Sequence, residues 1–406
     1  MTNLTMARVA NTQMPDPDQT DACVTWFWHV FLPGWIDRAH DREFGGFADL
    51  LDVNGCVPAT APKTVLAQAR LLFTFAHLAL LSEKPVYREA AQIAHDSLAR
   101  FRKPSGLYRR AQGPKGAPLE GAGDIQARSY DQTFVIFGLS TWAKLTGCTK
   151  ASAEIETLWQ AVEAHLLDAK TGMLIDNDGV ANRAHPDAPN PAQNPHMHMY
   201  EAALQAYEMG QGEVWLGRAK RMRSKGLEYF FDVETCTIAE FIKPDLTPLD
   251  GKDGQWREIG HQCEWAWLLQ REVDLGGDPA MADVAARLLD FAVRYGFHQT
   301  GPLKGAAYDA VSSDTSWREM SFLLWPQTEA IKAYAMQSKA ADDAPALRAK
   351  MLCDVIFRNY FEGRAGYINQ VDPDGMPIWD EALSRLLYHL VLGFTEGARF
   401  GLWPAP

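Results

Sequence analysis

The stretch Glu258–Leu269, EIGHQCEWAWLL, decides how the rest of the chain is read. On a helix, positions i, i+3, i+4 and i+7 share a face, so His261, Glu264, Trp265 and Leu268 line up on one side. Trp267 and Leu269 point elsewhere and need cover as well. A helix that is apolar nearly all round is buried. Its imidazole and carboxylate therefore either find partners in a dry core or face a wet cavity. Alone, the stretch leaves both readings open.

Outward from it, helical patterns follow one another along the chain. They cover 20–39, 63–82, 86–101, 128–146, 151–168, 195–210, 213–230, 258–274, 279–297, 316–337, 345–360 and 381–400, twelve in all. A short candidate strand, Phe47–Leu51, precedes the turn Asn54-Gly55. After each even-numbered helix the chain turns within a few residues. After each odd-numbered one comes a long Gly/Pro-rich stretch, as at 40–62, 102–127 and 231–257. In an up-and-down array those long loops gather at one end, where loops usually carry function.

Odd helices are one-sidedly amphipathic. Even helices are apolar throughout, yet each holds a few polar residues near its start. Arg70, Asp131, His198, His261, Glu329 and His389 recur at intervals of 60 to 68 residues. Buried even helices inside, half-wet odd helices outside, and polar groups converging beneath the long loops make an all-α fold, an (α/α)6 barrel of twelve helices. Residues 1–19 read as a polar tail and 20–406 as a single catalytic domain, with no Pro-rich linker between parts.

Composition narrows the function. A net charge of −12 argues against nucleic acid or an anionic membrane as partner. The uncharged run Cys23–Ile36 is too short to span a bilayer. Six scattered cysteines without CxxC spacing suit free thiols and a cytoplasmic location. Exposed outer helices are compatible with a monomer or a homodimer.

Three chemistries fit the inner-ring residues. H-x-x-E occurs at His198–Glu201 and His261–Glu264, a spacing that can build a metal site. No HExxH or further ligand cluster supports it, so no metal and no cofactor are expected. Asp131, Glu201, Glu264 and Glu329 keep a paired-carboxylate glycoside hydrolase open. His261 and His389, two inner helices apart, suit proton removal and return beside a sugar carbonyl, because imidazole titrates near pH 6.5. Arg70 is placed to hold the oxygen of an enediolate or to pair with Asp131. Arg128 and Arg257 are expected at the rim as solvated charges able to meet an anionic sugar. His196 reads as a loop contact before its helix.

The stretches DREFGGF (41–47), QAR (68–70), YDQTF (130–134), NPHMHMYE (194–201), GHQCEW (260–265), WPQTE (325–329) and Tyr388-His389 occur in one order over nearly the whole chain. Together they resemble the N-acylglucosamine 2-epimerase superfamily, in particular its D-mannose isomerase and sulfoquinovose isomerase branch. The resemblance implies an (α/α)6 barrel and a small monosaccharide substrate. It implies His261 and His389 as the catalytic acid/base pair, and Arg70, Asn194, His198, Glu264 and Trp325 as substrate-binding, with Glu264 orienting the histidines and Trp325 stacking on the sugar. Trp265, in GHQCEW, favours an aldose–ketose isomerase of mannose and fructose over a sugar 2-epimerase. His196 departs from the Asn many relatives carry.

Overall fold

The computed structural model describes residues 13–179, 188–338, 343–361 and 365–406. Among them run twelve long helices, named here in chain order. α1 is Thr20–Trp26 continued through a π-helical turn, Phe27–Phe31, into Leu32–Ala39. Then come α2 Val65–Ser82, α3 Pro85–Leu98, α4 Ser129–Thr146, α5 Thr149–His165, α6 Asn194–Glu208, α7 Val214–Phe230, α8 Ile259–Asp274, α9 Met281–Tyr295, α10 Leu324–Gln337, α11 Ala344–Ile356 and α12 Leu387–Arg399.

Local chemistry sets the boundaries. Thr64 caps α2 by accepting from the Ala67 amide, and α4 stops at Gly147, whose φ of 68° is left-handed. Pro85 opens α3 at a position where its missing N–H costs nothing. The two turns between even and odd helices that matter here, α2–α3 and α4–α5, are therefore short and sharp.

The even helices form a closed inner ring, α2–α4–α6–α8–α10–α12, with α12 returning to α2, and odd helices pack outside them. This is the expected (α/α)6 barrel. α2 is apolar along its length because it is buried, and it still carries Arg70 at 2 % exposure. Ring neighbours approach closely through glycine: a Cβ on Gly138 of α4 would lie 2.7 Å from the Ala69 carbonyl of α2.

Two helices start later than the sequence pattern suggests. α10 begins at Leu324, not 316, because Phe322–Leu323 pair antiparallel with Gln370–Val371. α12 begins at Leu387, not 381, because Ala382–Leu383 pair with Leu50–Leu51. That second pairing joins the first long loop to the last, so the loop crown closes as the helices do. The loops also hold one-turn helices, Ala122–Ile125 and Gly251–Gln255. Residues 1–12 of the expected tail lie outside the described residues; Met14 packs on the core and Asp18 pairs with Arg358.

A repeated device fastens the loops to the inner helices that follow them at five of the six places. Gln68, Gln132, Gln262 and Gln327, each fully buried in the first turn of an inner helix, clasp one loop residue by both backbone groups. The Phe47 amide donates to Gln68 Oε1 (3.0 Å) while Gln68 Nε2 donates to the Phe47 carbonyl (2.8 Å). Tyr108, Ile238 and Ala307 are held identically by Gln132, Gln262 and Gln327, at 2.7–3.0 Å. On α6 the place is taken by His196, whose Nε2 accepts from the Leu174 amide at 3.0 Å. The DREFGGF motif serves the first clasp. Gly46 has φ 78°, and a Cβ there would meet Ser97 Oγ at 2.4 Å and Gln68 Oε1 at 2.9 Å.

A clasp satisfies two buried backbone groups, and orphaning each costs about 1–3 kcal/mol. Gln132→Met, which keeps the volume, is expected to destabilise the protein by ~2–5 kcal/mol. A lowered urea midpoint at unchanged m-value would be the readout.

Candidate active site

A cavity of about 250 Å³ opens at the loop end of the barrel. Arg70, Asn194, His198, His261, Glu264, Trp325 and His389 all line it, together with Tyr130, Glu258, Trp379 and Arg385. The seven residues singled out in the sequence thus meet in one place. The first polar turns of α2, α6, α8, α10 and α12 put them there.

The two imidazoles flank one indole. The Trp325 ring lies 4.8 Å from that of His261 and 5.9 Å from that of His389, centroid to centroid. Gly260 makes room for it: a Cβ there would sit 2.3 Å from Trp325 Cζ3 and 3.0 Å from Pro326 Cα, which is backbone. The glycine of GHQCEW is therefore a packing requirement.

Each histidine commits Nδ1 to a carboxylate. His261 Nδ1 donates to Glu240 (2.8 Å), His389 Nδ1 to Glu329 (2.8 Å) and His198 Nδ1 to Glu201 (2.9 Å). That leaves Nε2 of each as the atom free to act. At His389, Nε2 stands 3.4 Å from Arg70 Nη1, so it is the acceptor nitrogen of a neutral ring.

The same pairing has opposite electrostatic outcomes. Burial works against a charged His261, but the carboxylates of Glu240 and Glu258 outweigh it and hold its pKa up at about 10. Burial pushes His389 well below the usual imidazole range, and the charges of Arg70 and Lys332 push it further. Its partner Glu329 cannot compensate, because Glu329 also forms an ion pair with fully buried Lys332. Burial takes His198 down to about 4 despite Glu201. Near neutral pH the site thus holds one imidazolium and two neutral imidazoles.

Several expectations need correcting. Glu264 does not orient the histidines. Both its oxygens lack a hydrogen bond, and it stays 3.9 Å from His198 Nδ1 and from Lys332 Nζ. Burial, then the neighbouring Glu329, raise its pKa far above the carboxylate range, so it is a neutral acid facing the cavity. Arg70 forms no salt bridge with Asp131 among the described residues. It donates to Tyr130 OH at 2.7 Å and the Arg385 carbonyl at 3.2 Å. Arg257 is not at the rim: it is 3 % exposed and bonds Thr237 and Asp232. Arg128 does not line the cavity. Of the four acids considered for glycoside hydrolysis, Glu264 alone lines it; Glu201 and Glu329 are tied to imidazoles. Two acid–histidine groups have metal-ligand proximity, His198/Glu201/Glu264 and Glu240/Glu258/His261, but hydrogen bonding already occupies the Nδ1 atoms of both.

Sequence reasoning missed Glu240. It lies in a long loop, where a lone acid has no periodicity to mark it. Trp265, by contrast, sits behind the site. Its Nε1 donates to Gln193 (2.7 Å), Gln193 Nε2 donates to Glu240 (3.0 Å), and Glu240 holds His261. Trp265 therefore reaches the cavity only through that chain.

The chain matches the family model described as N-acylglucosamine 2-epimerase (GlcNAc 2-epimerase) over residues 45–393. It is similar to a mannose-6-phosphate isomerase of Rhizobium meliloti, 27% identical over 91% of this chain and 94% of the relative. A cellobiose 2-epimerase of Bacteroides fragilis is 23% identical over 79% of this chain and 82% of its own. The crystal structure of a D-mannose isomerase superposes with a TM-score of 0.81 at 21% identity, over 95% of this chain and 99% of that one, and so shares the fold.

The raised His261 pKa has a stability signature. Unfolded, the ring titrates near ~6.5. Folded, it holds its proton to about 10. The folded state binds the proton more tightly, so this stabilisation is complete below pH ~6.5 and disappears as pH climbs towards 10. Glu240→Gln is expected to flatten that fall, seen as a smaller loss of denaturant midpoint between pH 7 and pH 10 than in wild type.

Proposed function

The chain belongs to the N-acylglucosamine 2-epimerase family of sugar isomerases and epimerases, and within it we propose that this protein is a cofactor-independent aldose–ketose isomerase acting on mannose or a close relative. The observation that carries the reading is a pair of imidazoles on either side of Trp325 in a single cavity, each tied to a carboxylate through Nδ1. At about 250 Å³ the space lies below the ~300–1,000 Å³ of drug-sized pockets and suits one sugar ring.

With the ring open, His389 Nε2 takes the C2 proton while the His261 imidazolium gives its proton to O1. A cis-enediol results. Arg70, beside His389, steadies negative charge as it develops on the oxygens. His261 then removes the proton on O2 as His389 returns its own to C1. The ketose leaves and both histidines are back in their starting states. Glu264 and Asn194 Oδ1, both without a hydrogen-bond partner among the described residues, are free to bond sugar hydroxyls, with His198 Nε2 beside them and Trp325 beneath.

Delivery of the proton to the opposite face of C2 from His261 would instead epimerise the sugar, and the facing imidazoles favour that as the second reading. Trp265 and the relatives named mannose-6-phosphate isomerase and D-mannose isomerase support the isomerase. The six cysteines are free, which suits the cytoplasmic location we propose.

Incubating mannose and N-acetylmannosamine separately in D₂O decides the matter. Fructose is expected from mannose, carrying deuterium at C1 to the extent that His389 trades its proton with solvent before returning it; an inverted sugar with deuterium at C2 means epimerase, and neither product nor exchange from either sugar removes both. His389→Asn is expected to lower turnover by about 10²–10⁴-fold. EDTA should leave the rate as it was. The kcat profile should hold across neutral pH and fall near pH 10 as His261 loses its proton. Glu240→Gln should move that alkaline limb to lower pH.

A further inference from the structure

Trp265 does not line the cavity, yet the molecule is built to hold its indole in one place. The side chain is fully buried. It stacks on the Tyr200 ring of α6, with centroids 5.9 Å apart and planes 25° apart. Gly226, inside α7, leaves room for it: a Cβ there would lie 2.6 Å from Trp265 Cη2. A glycine within a helix is costly, so the space it leaves has a use.

The indole N–H meets the amide oxygen of Gln193, also buried, at 2.7 Å. Residues 191–193 run beside 240–242. The Gln193 N–H donates to the Glu240 carbonyl at 3.0 Å, and the Ile242 N–H to the Pro191 carbonyl at 3.1 Å. Backbone pairing thus sets the Gln193 side chain against that of Glu240, but it leaves open which end of the amide meets the carboxylate. An amide can turn over with almost no change of shape, exchanging oxygen for NH2. The indole decides between the two. Its N–H can only donate, so the amide oxygen must face it. The NH2 then faces Glu240 and donates to Oε2 at 3.0 Å, the same oxygen that His261 Nδ1 reaches at 2.8 Å. Turned over, the amide would set oxygen against carboxylate and NH2 against the indole N–H, two buried mismatches.

We propose that Trp265 is a positioning residue for proton transfer at His261: its N–H fixes the Gln193 amide, which holds Glu240 as the acceptor for His261 Nδ1–H and so turns Nε2 to the sugar. The inference rests on His261 acting as the acid in the isomerase reading. Other groups bear on the same ring. Glu258 Oε2 stands 3.1 Å from Nδ1, Glu264 follows one turn along α8, and His198 of α6 is near enough to feel its charge. Buried Arg257 acts on Glu240, and Trp325 of α10, packed on the ring, brings no charge. Glu258 stays in place when the relay is cut, so His261 loses only part of its hold on the proton.

The test removes the N–H and keeps the shape. 3-Benzothienylalanine, with sulfur in place of the indole nitrogen, is inserted at position 265, and Gln193→Met is made beside it. On mannose the benzothienyl enzyme is expected to lose roughly 10- to 100-fold in kcat, the worth of a hydrogen bond to a charged group, with KM within about twofold of wild type. The alkaline limb of kcat should move down by roughly one pH unit. Gln193→Met should do the same, and adding the benzothienyl residue to it should cost nothing more. Unchanged kcat and alkaline limb overturn the proposal. So does a rise in KM alone, which would make Trp265 a wall of the pocket, and so do losses that multiply in the double variant. NMR titration of His261 reads the relay without substrate. If wild type turns over no sugar but the His261 midpoint still falls in the benzothienyl variant, the isomerase reading fails and the relay stands. A midpoint that does not fall removes the relay.

Discussion

The inner helices begin among buried loop segments, and most polar groups in their first turns are answered by a partner from a loop or from the ring itself. A buried, unanswered donor or acceptor costs a large share of a domain's net stability. Two answers recur around the ring. Glutamine meets backbone, closing a two-bond clasp on a loop residue, as Gln68, Gln132, Gln262 and Gln327 do. Carboxylate meets imidazole, as at Glu240–His261, Glu329–His389 and Glu201–His198. The first kind holds the loops in place. The second kind leaves one ring nitrogen unspent and directs it into the cavity.

Identical pairs acquire different charges from what stands behind them. Glu240 has Gln193 behind it, a neutral amide that positions the carboxylate. Glu329 has Lys332 behind it, a buried cation that cancels it. So the histidine facing Glu240 is protonated and the one facing Glu329 is not. A proton donor and a proton acceptor thereby coexist on opposite sides of Trp325, where two equally surrounded imidazoles would share one state.

Much of this was legible in the chain. Helix number, the inner and outer alternation and the convergence of Arg70, His198, His261 and His389 follow from periodicity, which survives wherever a helix is long and its burial one-sided or complete. What sequence hid is non-periodic. Glu240 sits in a loop and gains meaning only when that loop is pinned by Gln262 at Ile238, two residues away. Glu264, spaced three residues from His261, looked like its orienting partner; the ring instead turns to the loop acid, and Glu264 faces the cavity unbonded. α10 and α12 start eight and six residues later than the pattern indicates, because strand pairings across loops, which no local pattern announces, take up the residues before them. His196, expected as a loop contact, makes one from inside the first turn of α6 and is the counterpart there of the glutamines.

The glutamine clasp recognises only an amide and a carbonyl, which every residue except proline offers. It therefore places no demand on which side chain the clasped loop position carries, and Phe47, Tyr108, Ile238 and Ala307 differ accordingly. Mutation can rewrite the crown of such a barrel while its anchorage persists. A scaffold fastened this way is suited to changing its choice of sugar across descendants without first losing its shape.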